Sequence, residues 1–327
     1  MKKKVGIIGA GIAGLASAVR MAVRGYEVHV FEANPYPGGK LSEIEIGNYR
    51  FDAGPSLFTM PQYFEDLFAL AGKKFTDYCP YQRLDPITHY FYEDGTRYKT
   101  FADVNKTADE MAEKLGANKK AVLEHLESSQ KLYDLTSETF LHQSIHHYQN
   151  FSFFDLMKIS ANLNTLNLFS TMHENNSKRF NNVKLVQYFD RFATYNGSNP
   201  YEAPGTLNVI PHLEHNIGAF LPKNGMVAIS RSVYNLAVEL GAQFHFNTKV
   251  NEIKVENKKV TGVYYCDTKR EDNKHIEISE NRFLPCDFVI SNMDVAYTYR
   301  KLLPKEKHPE KTLTQPRALS AMVFYLG

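Results

Sequence analysis

Val5 to Ile8 is a short apolar run, β-branched at three of four positions and ended by Gly9, the pattern of a buried strand. From Ile12 to Arg24 the period becomes helical, with Leu15, Val19 and Val23 at four-residue steps and Gly25 closing the segment. Tyr26 to Phe31 alternates as a second strand. Residues 80–104 read as short strands around a turn at Glu93-Asp94-Gly95, and residues 105–180 as helices, with long patterns at Lys119–His147 and Phe153–Met172. The second of these carries Phe154, Met157, Leu163, Leu166 and Phe169, with Lys158 its only cation, and fits either a core-facing helix or a segment dipping into a bilayer. Prolines and glycines across 191–226 exclude one long helix there, and the apolar and polar groups read as a pocket wall. Gly225-Met226 opens a helix to Leu240, Gly241 ends it, and strands follow to Cys266.

The first change of period carries chemistry. Gly9, Gly11 and Gly14 form G-x-G-x-x-G where a strand turns into a helix, and Glu32 ends the next strand 18 residues after Gly14. Gly9 permits the tight turn, Gly11 lets a pyrophosphate approach the backbone, and Gly14 lets the helix press on the strand. The phosphates would meet free N–H groups at a helix N-terminus, across Ala10, Ile12 and Ala13 as well as the glycines. The Glu32 carboxylate, with Ala33 beside it, is placed to accept from a ribose diol and would repel a 2′-phosphate, which disfavours NADP. Gly38-Gly39-Lys40-Leu41 then follows directly, where an NAD domain would continue into another βα unit. A cation on a second glycine pair suits the far side of a longer, bent pyrophosphate, so FAD is the expected cofactor.

Gly38-Gly39-Lys40-Leu41-Ser42, followed by Asp52-Ala53-Gly54-Pro55-Ser56, resembles the flavin-containing amine oxidase superfamily and, within it, the bacterial phytoene desaturase branch. Lys40 stands where many members have Arg. "RFATYNGSNPYEAPGTLNVIPHLEHNIGAFLPKNGM" (191–226) is similar to carotenoid desaturases, in wording closer to hydroxycarotenoid 3,4-desaturases than to the phytoene enzymes, and "DFVISNMD" (287–294) resembles a strand of the same superfamily. The resemblance implies an α/β fold: a Rossmann-like FAD-binding domain of amine oxidase/glutathione reductase type with an inserted α+β substrate domain. Residues 1–72 would be the first part of the FAD domain and 73–220 the substrate domain with its helical, membrane-facing candidate. Residues 221–295 would return to the FAD domain, and 296–327 begin a second substrate-domain segment. The resemblance also adds Gly54, Pro55, Ser56 and, through its backbone, Val250 to the FAD contacts. It implies a carotenoid substrate losing a hydride to the flavin and a proton to a weak base or water, with Asp52 and Asp190 as candidate helpers and no catalytic residue assigned. The family continues past the position of Gly327 with another glycine-rich turn, so a partial sequence is expected.

Composition narrows the alternatives. The 327 residues are 43% hydrophobic and 23% charged, ordinary for a folded protein, and a formal net charge of +2 gives no footprint for nucleic acid. Cys79, Cys266 and Cys286 are scattered without C-x-x-C, as reduced thiols in a cytosolic compartment would be. Lys2–Lys4 run straight into a strand pattern, and no apolar stretch approaches the roughly 18 residues of a spanning helix. With a lipid-soluble substrate, the expectation is a cytoplasmic protein in peripheral contact with membrane lipid; the electron acceptor leaves no signature. His142, His146 and His147 near Glu138 read as a solvated or pocket-lining face rather than a metal site. His212 and His215, flanking Glu214, either touch a polar end of the substrate or face solvent. Other functions weighed are a phytoene desaturase, an amine or protoporphyrinogen oxidase, and a non-enzymatic isoprenoid escort like the GDP-dissociation inhibitors, for which Glu32 and Gly38-Gly39-Lys40 would be superfluous.

Overall fold

A computed structural model of the chain describes residues 2–137, 157, 166–272 and 274–326. Strand β1 (Lys4–Ile8) is buried from Val5 to Ile8 because it has neighbours on both sides. It pairs in parallel with β2 (Glu27–Phe31), Ile7 opposite Val30, and with Phe288–Ser291, Ile7 opposite Ile290. Gln243–His245 adds to the outer side of β2, Gln243 opposite His29. Central parallel strands covered on both faces read as continuous apolar runs, which is why β1 shows no alternation. Helix α1 (Ile12–Val23) lays Leu15, Ala18 and Val19 on this sheet, and Gly25, at φ +84°, turns the chain into β2.

Beyond β2 the chain folds back as the hairpin β3 (Ser42–Ile46) and β4 (Tyr49–Ala53), turning at Gly47 with φ +61°. The strands Thr248–Glu256 and Lys259–Glu271 form a long antiparallel pair, joined at Asn257 and Lys258, both with positive φ. Arg282–Pro285 adds to its far edge, Leu284 opposite Val263. Ile8, Phe31, Val250, Ile253, Val263, Cys286 and Leu302 bury together, so the parallel and antiparallel sheets share one core.

The chain divides into two compact units, Met1–Gln82 with Leu221–Pro316 and Tyr325–Gly327, and Arg83–Phe220 with Arg317–Phe324. In the second unit the hairpin Thr88–Phe91/Arg97–Thr100 sets Tyr90 opposite Tyr98. Asp103 caps the helix Val104–Leu115 by accepting from Asn105 N at 2.8 Å, and Asn118 caps Lys119–Thr136. Tyr98, Met111, Val122, Leu126, Met172, Phe180, Phe189 and Phe192 form the core.

The helical patterns are cut differently from their apolar spacing. In the pattern over Phe153–Met172, residues 153–156 and 158–165 lie outside the described residues, and 166–169 are a turn. A new helix, Met172–Arg179, begins because Thr171 and Glu174 form a capping box: the Thr171 hydroxyl accepts from Glu174 N at 3.1 Å, and Glu174 accepts from Thr171 N at 3.0 Å. Of Lys119–His147 the described helix runs to Thr136, and His142, His146, His147 and Glu138 lie outside the described residues. The stretch 191–217 is a series of short 3₁₀, α and π turns, broken at Gly197 (φ +62°). Cys79, Cys266 and Cys286 are all buried, and burial pushes the Cys79 and Cys286 thiols up to about 11.

Candidate functional site

The N-terminus of α1 is shaped for an anion. Gly11 is its N-cap and supplies no side-chain cap, and the first turn holds no acid to neutralise the free N–H groups of Ile12, Ala13 and Gly14. Close packing enforces glycine. A Cβ on Gly14 would lie 2.1 Å from the Gly9 carbonyl oxygen, and one on Gly11 would lie 2.8 Å from Asn292 Nδ2. Gly9 itself sits at φ +92°, its N–H donating to Phe31 O at 2.8 Å, which ties the turn to the end of β2.

The second glycine pair closes on the first. Gly38 N donates to Ala10 O at 2.8 Å, Gly38 and Gly11 form a parallel bridge, and a Cβ on Gly39 would approach the Gly11 Cα at 3.2 Å. Leu41 N donates back to Gly38 O at 3.0 Å, and Leu41 O accepts the Ser230 hydroxyl at 2.8 Å, anchoring this loop to the helix Val227–Glu239. Gly54, at φ +95°, packs so tightly on Lys40 that a Cβ would lie 1.9 Å from the Lys40 oxygen. The Lys40 side chain is exposed and makes no ion pair among the described residues; Pro55 and Ser56 are exposed beyond Gly54.

Glu32 is 6% exposed. One carboxylate oxygen accepts from Ala10 N at 2.7 Å, and the other accepts from Asn34 N and Asn34 Nδ2, both at 2.8 Å. The acid therefore fixes the glycine turn directly, and three bonds on about four lone-pair positions leave acceptor capacity for a further donor. Beside it opens a cavity of about 580 Å³ whose wall includes Gly9, Glu32, Ala33 and Val250. Gly11, Ile12, Ala13, Gly14, Gly38–Leu41 and Gly54–Ser56 lie outside this wall, grouped around the α1 terminus and the second loop. Sequence patterns did not signal Thr248, Asn251, Tyr297 and Lys301 of the same wall, and gave no role to Asn292, which lies in the 287–294 stretch and meets the glycine turn. The arrangement fits a dinucleotide: a donor-rich terminus for phosphate, and a mostly apolar cavity with a carboxylate for a nucleoside.

The remaining polar candidates are occupied structurally. Asp52 accepts from Met226 N at 2.9 Å and Val227 N at 3.4 Å, capping the helix Val227–Glu239, with Arg50 3.6 Å away. Asp190 is 8% exposed and holds His173 at 2.6 Å and Asn176 at 2.8 Å. His212 and His215 do not face solvent: they are 6% and 0% exposed, His212 against Asn216 and the Tyr133 ring, His215 against the Tyr188 hydroxyl. Burial brings His215 down to about 4, the Glu214 carboxylate opposing only part of that shift. Arg191 donates to both oxygens of the fully buried Glu214, at 2.9 and 3.2 Å, and Tyr195 donates to the same carboxylate. Burial alone would lower Arg191, but Glu214 together with the Tyr188 and Tyr90 hydroxyls holds the guanidinium above its usual range.

Comparison with known proteins agrees with this geometry. Residues 12–322 match the family described as flavin containing amine oxidoreductase. The chain is 42% identical over 327 residues to a 1-hydroxycarotenoid 3,4-desaturase of Flavobacterium sp., covering all of this chain and 64% of the relative. It is 31% identical over 331 residues to a 4,4'-diapolycopene oxygenase of Methylomonas sp., covering 99% of this chain and 63% of the relative. The chain thus spans under two thirds of the length of these relatives. Among solved structures, a Pyrococcus furiosus protein (PF1083) aligns at TM-score 0.62 and 16% identity, over 96% of this chain and 65% of that one. A putrescine oxidase mutant aligns at TM-score 0.60 and 16% identity, over 95% of this chain and 62% of that one, a likeness of fold.

Proposed function

The chain belongs to the flavin-containing amine oxidoreductase family, and from that premise we propose that it serves an FAD-dependent carotenoid desaturase activity at the 3,4-bond of a 1-hydroxylated carotenoid. The observation that carries this reading is the 42% identity sustained across all 327 residues with a relative of that activity. The paired features of the first unit support FAD rather than a mononucleotide in this reading. The phosphate-ready terminus of α1 would serve one half of a dinucleotide, and the cavity beside Glu32 the adenosine half.

When bound, the flavin supplies a hydride acceptor. The chain's own part is to hold that cofactor through Gly9–Gly14, Glu32, Gly38–Leu41 and Val250. Desaturation removes a hydride and a proton from adjacent carbons, leaving the electron pair with the cofactor until an external acceptor takes it. The cation formed in between is delocalised along the polyene, so a strong protein acid or base is not required; Asp52 and Asp190, both committed to structural bonds, are unsuited to that task. A water-insoluble substrate places the protein at the cytoplasmic face of a membrane in this reading, as a peripheral protein; among the described residues no helix is long and apolar enough to cross.

The test is incubation of the flavin-loaded protein with a 1-hydroxycarotenoid, with phytoene, and with an amine, followed by chromatography, product mass and peroxide assay. Loss of two mass units and a red-shifted spectrum from the hydroxycarotenoid is expected. Conversion of phytoene alone would replace the substrate, added oxygen in the product would favour an oxygenase, and peroxide from the amine would return the chain to amine oxidation. Failure to bind FAD at all would point to an escort.

A further inference from the structure

We propose that a polar cavity of about 450 Å³ in the second unit binds a phosphate-bearing anion, independently of the nucleotide site. Its wall includes His125 and Ser129 of the helix Lys119–Thr136, Asn175, Lys178 and Arg179 of the helix Met172–Arg179, and Asn208. Two of these side chains are deeply buried without satisfaction. His125 and Asn208 are each 4% exposed, and neither His125 Nε2 nor Asn208 Oδ1 has a hydrogen-bond partner. Asn175 Nδ2 is buried and unpartnered too, its Oδ1 being the atom that meets the Ser170 hydroxyl, at 3.1 Å. An orphaned buried polar group loses its hydration without replacement, so three on one cavity need a common explanation.

The charges around the cavity point to what fills it. Lys178 and Arg179 are exposed and make no ion pair among the described residues, whereas Lys119, Lys120 and Lys131 on the neighbouring helix each face an acid. Glu124 also lines the cavity and faces Lys120 at 3.8 Å. Cations in the last turn of a helix suit its dipole, which accounts for Lys178 and Arg179 but not for the orphaned groups inside. Burial, and then the Arg179 charge, keep the His125 imidazole neutral down to about 3, so it offers one N–H donor without a charge of its own. Asparagine amides present either face by rotation. A neutral imidazole donor, amides and two cations with no ion pair among the described residues form a donor-rich set suited to the oxygens of a phosphate, which can be free or part of a lipid headgroup.

Inorganic phosphate is titrated calorimetrically into the purified, flavin-loaded chain at fixed ionic strength, since exposed cations are screened by salt. One saturable site is expected, weakened about tenfold by Arg179→Ala and further by Lys178→Ala. Both residues are exposed, so these variants should fold, and thermal melting checks that they do. His125→Gln tests the buried donor and should weaken binding without altering flavin content. A parallel arm floats the protein with vesicles of phosphatidylcholine alone or with phosphatidylglycerol added. Capture only by the anionic vesicles, lost in the double variant, makes the phosphate a headgroup; phosphate binding without capture makes it a soluble ligand. Absence of saturable phosphate binding, or binding indifferent to Arg179 and Lys178, overturns the proposal.

Discussion

Gly14→Ala is the sharpest probe of the first unit. The new Cβ would sit 2.1 Å from the Gly9 carbonyl oxygen and 3.1 Å from Asn292 Nδ2, and both the carbonyl and the turn it belongs to are fixed by the bond from Gly9 N to Phe31 O. Since real Cβ contacts are not found under 3.0 Å, α1 must retreat from its own turn by about an ångström. For folding the terms partly offset: alanine gains ~1 kcal/mol of helix propensity and overpacking costs ~1–3 kcal/mol, a net loss of ~0–2 kcal/mol. For a bound pyrophosphate they do not. The N–H groups of Ile12, Ala13 and Gly14 withdraw together, and two charge-assisted hydrogen bonds at ~1.5–3 kcal/mol each amount to a loss of roughly 10²–10⁴ in affinity. The assay is the ratio of flavin to protein absorbance after purification, then FAD titration followed by quenching of flavin fluorescence. Gly47→Ala is the control: at φ +61° with open space around the new Cβ, it should cost ~1 kcal/mol of stability and leave flavin binding intact. A Gly14→Ala protein that keeps flavin at wild-type affinity would refute the placement of the phosphates.

Asp52→Ala should lower stability by ~1 kcal/mol through loss of the cap on Val227–Glu239, while Asp52→Asn keeps most of it; urea midpoints distinguish the two. Glu214→Ala strands a largely buried guanidinium and should cost ~3 kcal/mol, with Arg191→Met on top costing much less than its own single effect in a double-mutant cycle. Stability should also fall with acid. His215 is held down to about 4 in the folded state, whereas the unfolded chain binds that proton near 6.5. The His215 contribution is therefore full above pH 6.5 and lost toward pH 4, by ~1.4 kcal/mol per pH unit; His125, held down to about 3, adds a like slope, so His215→Gln should reduce the total slope in denaturation series without abolishing it.

Local spacing carried the first unit a long way. G-x-G-x-x-G, the acid after β2 and the second glycine pair are all contiguous in sequence, and the structure brings the two glycine turns into contact through Gly11 and Gly38. What spacing could not carry was strand order. Asn292 reaches the glycine turn only because Phe288–Ser291 pairs with β1, and Thr248, Asn251 and Tyr297 reach the cavity through pairings hundreds of residues apart from Gly9. The helix boundary near Thr171 is a different failure. Thr171-x-x-Glu174 was legible as a capping box, but the apolar steps at Leu166 and Phe169 competed with it, and Phe169 proves to be 96% exposed. His212 and His215 lie on short turns of mixed pitch, where no single period says which way a side chain faces.

The stretch 191–226 carried the resemblance to carotenoid desaturases, and its residues up to Phe220 place charged and polar side chains in the second unit's interior. Arg191, Glu214 and Tyr195 form a buried, hydrogen-bonded charge cluster, and His215 continues it to Tyr188. A pair like this adds little net stability, because desolvation offsets most of its attraction. Its geometric consequence is larger. The Arg191 guanidinium lies 4.3 Å from the Phe192 ring centroid and 5.4 Å from that of Tyr188, and Tyr188 stands edge-on to Tyr90 at 5.3 Å. Tyr90, Tyr188 and Arg191 line a second-unit cavity of about 620 Å³, so the cluster fixes the orientation of aromatic walls that packing alone would leave free to change rotamer. The charges therefore act on ring placement rather than on stability.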